Sequence, residues 1–136
     1  TFWMLVGCDP RPSTQSVRDE IVTSGSEPSH TVRLTESNFD RKVLHSKPTV
    51  LVDFWAAWCT PCLEMAPAIE ELAAEFDLRH VGKVDVDAQP DIAKRYRVDA
   101  VPAILLFRNG EVVARLDGSH TKKELELRMN ELINAR

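Results

Sequence analysis

An unbroken apolar strand that leads directly into a pair of cysteines constrains this chain more than any other feature. Residues 50–55 read Val-Leu-Val-Asp-Phe-Trp, and Cys59 and Cys62 follow at the start of a segment with helical periodicity. A continuous apolar strand is typical of the centre of a sheet that is covered on both faces. The pattern predicts a buried strand, a short turn, and a helix whose first turn carries both thiols.

The spacing of the two cysteines predicts thiol–disulfide exchange. Near a helix N-terminus, backbone N–H groups lack intrahelical partners and the helix dipole is positive, so a thiolate is favoured and Cys59 is the predicted nucleophile. Cys62 lies one turn further in, where we expect it to be more covered, and is the predicted resolving thiol. Pro61 fixes the backbone between them. Cys59 would attack a substrate disulfide, and Cys62 would then release the reduced substrate.

The same C-x-x-C spacing also occurs in zinc sites, which need four thiolate or imidazole ligands and usually a second cysteine pair. This sequence has no second pair. Its remaining cysteine is Cys8, and its histidines are scattered singly at His30, His45, His80 and His120. We therefore expect no metal and no bound cofactor, and we expect each histidine to be a surface or capping residue.

Length and charge argue against several other classes of protein. With 136 residues, the chain suits one domain with a hydrophobic core plus a tail. The formal net charge is -4 and the charged residues are interspersed, so the sequence offers no basic stripe for nucleic acid. Three cysteines, two of them in one local pair, do not make the multiple bridges of a small secreted scaffold. We expect a monomer, since nothing in the sequence demands more.

Residues 1–30 differ in composition from the rest of the chain. Residues 1–8 are an apolar segment that does not begin with Met, so we expect further sequence upstream, and Leu5-Val6-Gly7-Cys8 is similar to the lipobox of bacterial lipoproteins. Residues 9–30 are rich in Pro, Ser, Thr and charge and are predicted to be a linker. The apolar run is too short to span a bilayer. The expectation is an extracytoplasmic domain anchored through a lipidated Cys8, and the alternative is a chance match in a cytoplasmic protein.

Residues 31–136 have the pattern of an α/β domain. Apolar runs and alternation predict strands, and apolar residues at i, i+3 and i+4 predict helices. Asn109-Gly110 predicts a hairpin turn, and Thr121 with Glu124 predicts a capping box. The order is βαβαβαββα, a central mixed sheet of about five strands flanked by four helices. The predicted strands are 31–34, 49–55, 80–87, 103–107 and 112–117; the predicted helices are 37–45, 59–76, 90–96 and a last one with Leu125, Met129, Leu132 and Ile133 inward.

A set of segments spread over the chain occurs in a recognisable order and spacing: Val52-Asp53-Phe54-Trp55-Ala56-Ala57-Trp58-Cys59, Pro61-Cys62, Pro67, Asp87, Val101-Pro102, Phe107-Arg108-Asn109-Gly110-Glu111 and Gly118. By these residues the sequence resembles the thioredoxin family over roughly residues 31–136. The resemblance implies a thioredoxin fold, a cis peptide bond before Pro102, and a client segment that adds like a strand beside Val101. The residues expected in the client groove are Trp58, Thr60, Pro61, Ala100, Val101, Pro102 and Gly118. Trp55 and Pro67 are expected to shape the site structurally.

Asp53 is a lone carboxylate within the apolar strand. A buried and unpaired carboxylate costs several kcal/mol when ionised, so we expect its pKa to be raised, which suits proton transfer. The resemblance assigns Asp53 acid and base service to Cys62 through water, with Lys83 modulating it. Two alternatives are that Asp53 points to the surface or that it is simply paired with Lys83.

The expected activity is reduction of protein disulfides. Electrons must come from a partner, either a thioredoxin reductase in the cytoplasm or a membrane electron carrier outside it. A tethered protein would instead serve exported clients such as an apocytochrome or a disulfide isomerase. The competing hypotheses are a net oxidant and a non-redox binding or chaperone module. Thr60 and Leu63 stand where the family usually has glycine and lysine, so reduction potential and client choice are expected to differ.

Overall fold

A computed structural model describes residues 29–76 and 81–134 of the chain. Within these residues it contains five strands and four helices, in the predicted order βαβαβαββα. The strands are β1 (Val32–Arg33), β2 (Val50–Trp55), β3 (Val81–Asp85), β4 (Ala103–Arg108) and β5 (Glu111–Asp117). The helices are α1 (Asp40–Leu44, one π-helical turn), α2 (Thr60–Phe76), α3 (Pro90–Arg95) and α4 (Lys122–Asn134).

The sheet is mixed, and β2 lies at its centre. The strand order is β1-β3-β2-β4-β5, in which β3 pairs in parallel with both β1 and β2. The pairs β2–β4 and β4–β5 are antiparallel. Because β2 is hydrogen-bonded on both sides, the residues that follow Trp55 are delivered to one fixed edge of the sheet.

Two hydrophobic layers cover the two faces of the sheet. On one face, Leu51 of β2 packs in a cluster with Met65 and Ile69 of α2 and with Met129 of α4. On the other face the cluster contains α1 and α3 side chains, and Phe39, Tyr96 and Phe107 meet there with ring centroids 5.1–5.8 Å apart. The prediction of a central strand covered on both faces is confirmed. Apolar spacing at i, i+3 and i+4 also holds along α2, whose buried residues are Cys62, Met65, Ile69, Leu72 and Ala73.

Two local sequence signals form as predicted. Asn109 and Gly110 both have positive φ, 52° and 82°, as a two-residue hairpin turn between β4 and β5 requires. At the start of α4, the N–H of Thr121 donates to the Glu124 carboxylate at 2.8 Å and the N–H of Glu124 donates to Thr121 Oγ1 at 3.2 Å. This reciprocal pair is the capping box.

Several predicted element boundaries are wrong. The first helix is a single π-helical turn over Asp40–Leu44 rather than 37–45, because the chain there adopts i→i−5 bonding, in which the N–H of His45 donates to the Asp40 carbonyl at 2.9 Å. Strand β3 ends at Asp85 rather than at 87, because the Asp85 carboxylate accepts the N–H groups of Asp87 and Ala88 at 2.9 and 3.3 Å and turns the chain. The register of α4 leaves Ile133 42% exposed rather than inward.

A carboxylate on α2 binds the first described residues of the chain. Glu70, on α2, accepts hydrogen bonds from Ser29 Oγ at 3.1 Å, from the His30 N–H at 2.7 Å and from Thr31 Oγ1 at 2.9 Å. These bonds tie the segment 29–31 to the side of α2.

The predicted apolar segment 1–8, Cys8, and residues 9–28 of the predicted linker lie outside the described residues, as does His80. Among the helices that are described, none has the length and apolar character needed to cross a bilayer.

Candidate active site

The two cysteines lie where β2 ends and α2 begins. The N–H of Cys59 donates to the carbonyl of Ala56 at 3.1 Å, which closes the turn after β2. Helix α2 starts at Thr60, so Cys59 is the residue that caps it. The N–H of Cys62 donates to Cys59 Sγ at 3.2 Å, and the two cysteines form a disulfide with their Cα atoms 5.3 Å apart. The predicted strand, turn and helix therefore bring the two sulfurs together.

Burial does not distinguish the two cysteines in this disulfide state. Cys59 is 3% exposed and Cys62 is 4% exposed, so the expectation that Cys62 is the more covered residue is wrong. Both pack in a small apolar cluster with Ala56 and with the half-buried Trp55 and Val101. What distinguishes them is position, because Cys59 Sγ lies at the positive end of the helix and accepts the N–H of Cys62 there.

Two apolar side chains stand exposed beside the buried disulfide. Trp58 is 69% exposed, and its indole Nε1–H donates to Asp87 Oδ2 at 2.9 Å. Leu63, also exposed, lies four residues after Cys59 and donates its N–H to the Cys59 carbonyl at 3.1 Å. Large exposed apolar side chains beside a reactive centre are suited to contact a partner. The sequence assigned no role to Asp87, since only the fold shows that it reaches the indole.

The loop before β4 supplies the second wall of the site. The Val101–Pro102 peptide bond is cis, as the resemblance implied. The N–H of Gly118 donates to the Pro102 carbonyl at 2.9 Å, and Gly118 has a φ of 86°. Val101 packs against the cluster that contains both cysteines.

An open cavity of about 300 Å³ adjoins this loop. It is lined by Arg97, Asp99, Ala100, Val101, Pro102, Arg115, Asp117 and Gly118. The structure thus brings together four of the predicted groove residues, Ala100, Val101, Pro102 and Gly118. The other three, Trp58, Thr60 and Pro61, are exposed on the turn that carries the cysteines. Pro67 lies inside α2, which continues through it to Phe76.

Asp53 is buried beneath this site. It is 3% exposed, so the alternative that it points to the surface is wrong. Alternation along β2 places it on the same face as Leu51, which packs against α2. Burial raises the pKa of Asp53 from 3.8 to about 6, and the positive charge of Lys83 partly opposes that rise. The carboxyl can therefore exchange a proton near neutral pH.

Lys83 is the cross-strand neighbour of Asp53, in register on β3. Its Nζ lies over the Trp55 ring, 5.0 Å from the ring centroid, which is a cation–π arrangement. Within the described part of the chain, Asp53 and Lys83 do not form a direct ion pair. Lys83 therefore acts on Asp53 through its field, and Trp55 helps to fix where that charge sits.

Metal binding was the alternative use of the cysteine pair. In residues 29–76 and 81–134, no group of three or more His, Cys, Asp or Glu side chains is arranged to hold a metal ion. Both cysteine sulfurs are bonded to each other rather than directed at a shared centre.

Comparison with known proteins agrees with this geometry. The thioredoxin family model matches residues 30–131. A thioredoxin of Buchnera aphidicola subsp. Acyrthosiphon pisum is 42% identical over 104 residues, covering 76% of this chain and 96% of that protein. A thioredoxin of Mycobacterium tuberculosis is 41% identical over 110 residues, covering 79% and 94%. One of Alicyclobacillus acidocaldarius is 40% identical over 104 residues, covering 76% and 98%.

The matched region contains the sheet, the bonded cysteine pair and the cis-proline loop described above. The partners of this chain are accordingly of two kinds: substrate proteins that carry disulfides, and a reductase that returns the electrons. The chain belongs to the thioredoxin family and is a thiol:disulfide oxidoreductase that reduces protein disulfides.

Proposed function

We propose that Cys59 attacks the substrate disulfide and that Cys62 resolves the mixed disulfide. The observation that carries this assignment is the cap of α2, where Cys59 Sγ receives the Cys62 N–H at 3.2 Å at the positive end of a 17-residue helix. A thiolate on that atom is stabilised by the same N–H and by the helix dipole. Cys62 Sγ, one turn further in, does not occupy the cap and suits the second step.

Two displacements at sulfur complete the reaction. The Cys59 thiolate bonds to one substrate sulfur, the substrate disulfide breaks, and the other substrate sulfur leaves as a thiolate. Cys62 then loses its proton and bonds to Cys59, and the first substrate sulfur leaves. The substrate has gained two electrons, and the protein is left as the Cys59–Cys62 disulfide. A reductase returns two electrons and restores the dithiol.

Asp53 takes up the proton that Cys62 loses before the second displacement. Its support is the buried position under α2 together with a pKa raised by burial to about 6, which allows the carboxylate to act as a base at neutral pH. Transfer runs through water. Lys83 lines a cavity of about 450 Å³ beside Trp55 and Asp85, so solvent reaches the charge that tunes Asp53.

The client lies in extended form between the Trp58 side and the cis-proline loop. An extended segment pairs with backbone groups beside Val101, while its side chains contact Trp58 and the open surface at Gly118. Thr60 and Pro61 contact the client between Trp58 and the cis-proline loop. This arrangement recognises backbone and apolar surface rather than one sequence, as a reductase of many proteins requires.

The electron donor depends on where the protein works. The lipobox-like Leu5-Val6-Gly7-Cys8 favours a lipidated, extracytoplasmic protein that receives electrons from a membrane carrier and serves exported clients such as apocytochromes. A cytoplasmic protein would use a soluble thioredoxin reductase. Incorporation of labelled fatty acid into the full chain, compared with a Cys8→Ala variant, distinguishes the two.

Trapping the mixed disulfide tests the roles of the two cysteines. When the reduced Cys62→Ser variant is freed of reductant and then mixed with insulin, it should stall as a covalent insulin adduct that is visible on a non-reducing gel and is lost when dithiothreitol is added. Cys59→Ser should form no adduct. A non-redox binding module would keep its function in both variants, and an adduct that forms through Cys62 in the Cys59→Ser variant would reverse the assignment.

A further inference from the structure

The side chain of Arg115, on β5, is fastened to the loop that leads to the cis-proline. Its Nη1 donates to the Tyr96 carbonyl at 2.8 Å and its Nη2 donates to the Arg97 carbonyl at 2.8 Å. Its Nε donates to Asp117 at 3.1 Å, and the two side chains form an ion pair. One guanidinium thus joins the end of α3 to the end of β5.

The carbonyls that Arg115 holds belong to an unusual stretch of backbone. Arg97 has a φ of 55°, in the left-handed region that non-glycine residues rarely adopt. Such a conformation persists when surrounding interactions determine it. The N–H of Val98 donates to the Ala93 carbonyl at 2.8 Å, which also fixes this turn. The two terminal nitrogens of the Arg115 guanidinium, which form a fork, bind the carbonyls immediately before and after the Cα of Arg97.

The same guanidinium reaches both walls of the cavity beside the cis-proline. Arg97 and Arg115 line that cavity, as do Asp117 and Gly118. Asp117 precedes Gly118, whose N–H holds the Pro102 carbonyl at 2.9 Å. A shift of Arg115 would therefore be felt at both ends of the loop that presents the Val101 backbone.

We propose that Arg115 is a positioning residue for client binding, which sets the spacing between the cis-proline loop and β5 without touching the reacting sulfurs. This inference rests on the proposed client groove. A planar guanidinium suits the task because it presents parallel N–H donors in a fixed geometry, whereas a lysine ammonium is a point charge on a flexible stem. The expected signature is weaker binding of protein clients with unchanged chemistry at the dithiol.

The test compares Arg115→Met, which keeps much of the stem and removes the donors, with Arg115→Lys, which keeps the charge and removes the fork. Arg128→Met is the matched control, because Arg128 forms a comparable surface ion pair with Glu131 on α4. Each variant is assayed for insulin reduction, for reduction of a small aromatic disulfide that needs no groove, and for thermal unfolding.

For Arg115→Met we expect KM for insulin to rise roughly three- to tenfold, with kcat and the small-disulfide rate within about twofold of the parent protein. The insulin KM of Arg115→Lys should lie between those of the parent protein and Arg115→Met, and the insulin KM of Arg128→Met should equal that of the parent protein. If Arg115→Met does not fold, Arg115→Lys gives the same comparison.

An unchanged insulin KM in both Arg115 variants would overturn the inference, and so would a parallel loss of insulin and small-disulfide rates. Full activity of Arg115→Lys would show that the fork is not needed, and would overturn it too. Gly118→Leu separates this from failure of the groove itself. If that variant raises the insulin KM while Arg115→Met does not, the groove stands and the role of Arg115 falls.

Discussion

The indole Nε1–H of Trp58 donates to the carboxylate of Asp87 at 2.9 Å, across the mouth of the site. Trp58 is otherwise exposed, so this bond is what orients its ring beside the disulfide. Asp87 is itself held by the turn in which its N–H donates to the Asp85 carboxylate. The contact surface next to the nucleophile is therefore set by residues that follow β3.

Removing the Asp87 acceptor should free the Trp58 ring. We expect Asp87→Ala to raise KM for insulin about two- to fivefold, because the ring must be ordered when the client binds. Tryptophan fluorescence of the reduced protein should shift in parallel. Trp58→Phe provides the control, since it has no N–H, so adding Asp87→Ala to it should have no further effect. A further loss in the double variant would assign Asp87 another role.

Asp53 should lower stability at neutral pH. Burial raises the pKa of Asp53 from 3.8 to about 6, so the folded protein binds the proton more tightly than the unfolded chain. The stabilising effect of that proton is complete below 3.8 and is lost as pH rises through about 6. At neutral pH the ionised group costs about 3 kcal/mol relative to the protonated one.

Replacing Asp53 by Asn should therefore raise the free energy of unfolding above about pH 7 by about 2–3 kcal/mol, and by little at about pH 3.5. Denaturant unfolding at the two pH values measures the difference. The same variant should slow insulin reduction at neutral pH. Glu64→Gln, at an exposed position on α2, is the control. A stability gain that is equal at both pH values would contradict titration of Asp53 as the cause.

Leu63 leaves the nucleophile without a cation on the next turn of α2. Because Leu63 lies four residues after Cys59, a lysine there would face the sulfur and favour its thiolate. We expect Leu63→Lys to speed alkylation of Cys59 in the reduced protein at neutral pH by roughly twofold. Leu63→Gln, which is polar and uncharged, should not change that rate. An equal increase with Gln would indicate altered access rather than charge.

Gly110 and Gly118 offer a matched comparison, since both have positive φ, 82° and 86°. A Cβ on Gly110 would lie 2.8 Å from the Leu44 carbonyl oxygen, whereas a Cβ on Gly118 meets no atom within 4 Å. Gly110→Ala should cost about 2–4 kcal/mol of stability, and Gly118→Ala about 1 kcal/mol. Only Gly118→Ala should raise the insulin KM, because its methyl group enters the groove. Equal effects on KM would remove Gly118 from the groove.

The parts of the fold that the sequence predicts correctly are those with a local cause. The apolar run of β2 and the stripe of α2 reflect burial, and Asn109-Gly110 and Thr121 act through hydrogen bonds and dihedrals within a few residues. The dithiol is predictable for the same reason, because Cys59 and Cys62 lie three residues apart at the start of a helix. That spacing brings their sulfurs together however the rest of the domain packs.

What the sequence did not predict depends on contacts between distant residues. Arg115 reaches the carbonyls of Tyr96 and Arg97 only because β5 lies beside the end of α3, and Asp87 meets Trp58 only across the sheet edge. The early end of β3 at Asp85 has a local cause instead, because the Asp85 carboxylate accepts N–H groups of the next residues and turns the chain. The exposed Ile133 reflects the exact register of α4, which the spacing of apolar residues alone does not give.

The Glu70 carboxylate determines where the first described residues lie on the domain. Glu70 lies eight residues after Cys62 on α2, which is about 12 Å along the helix axis. Because Glu70 binds segment 29–31 at that level, this segment lies against the flank of α2 and away from the sulfurs. A segment held there leaves the cysteine end of α2 open to a large folded partner.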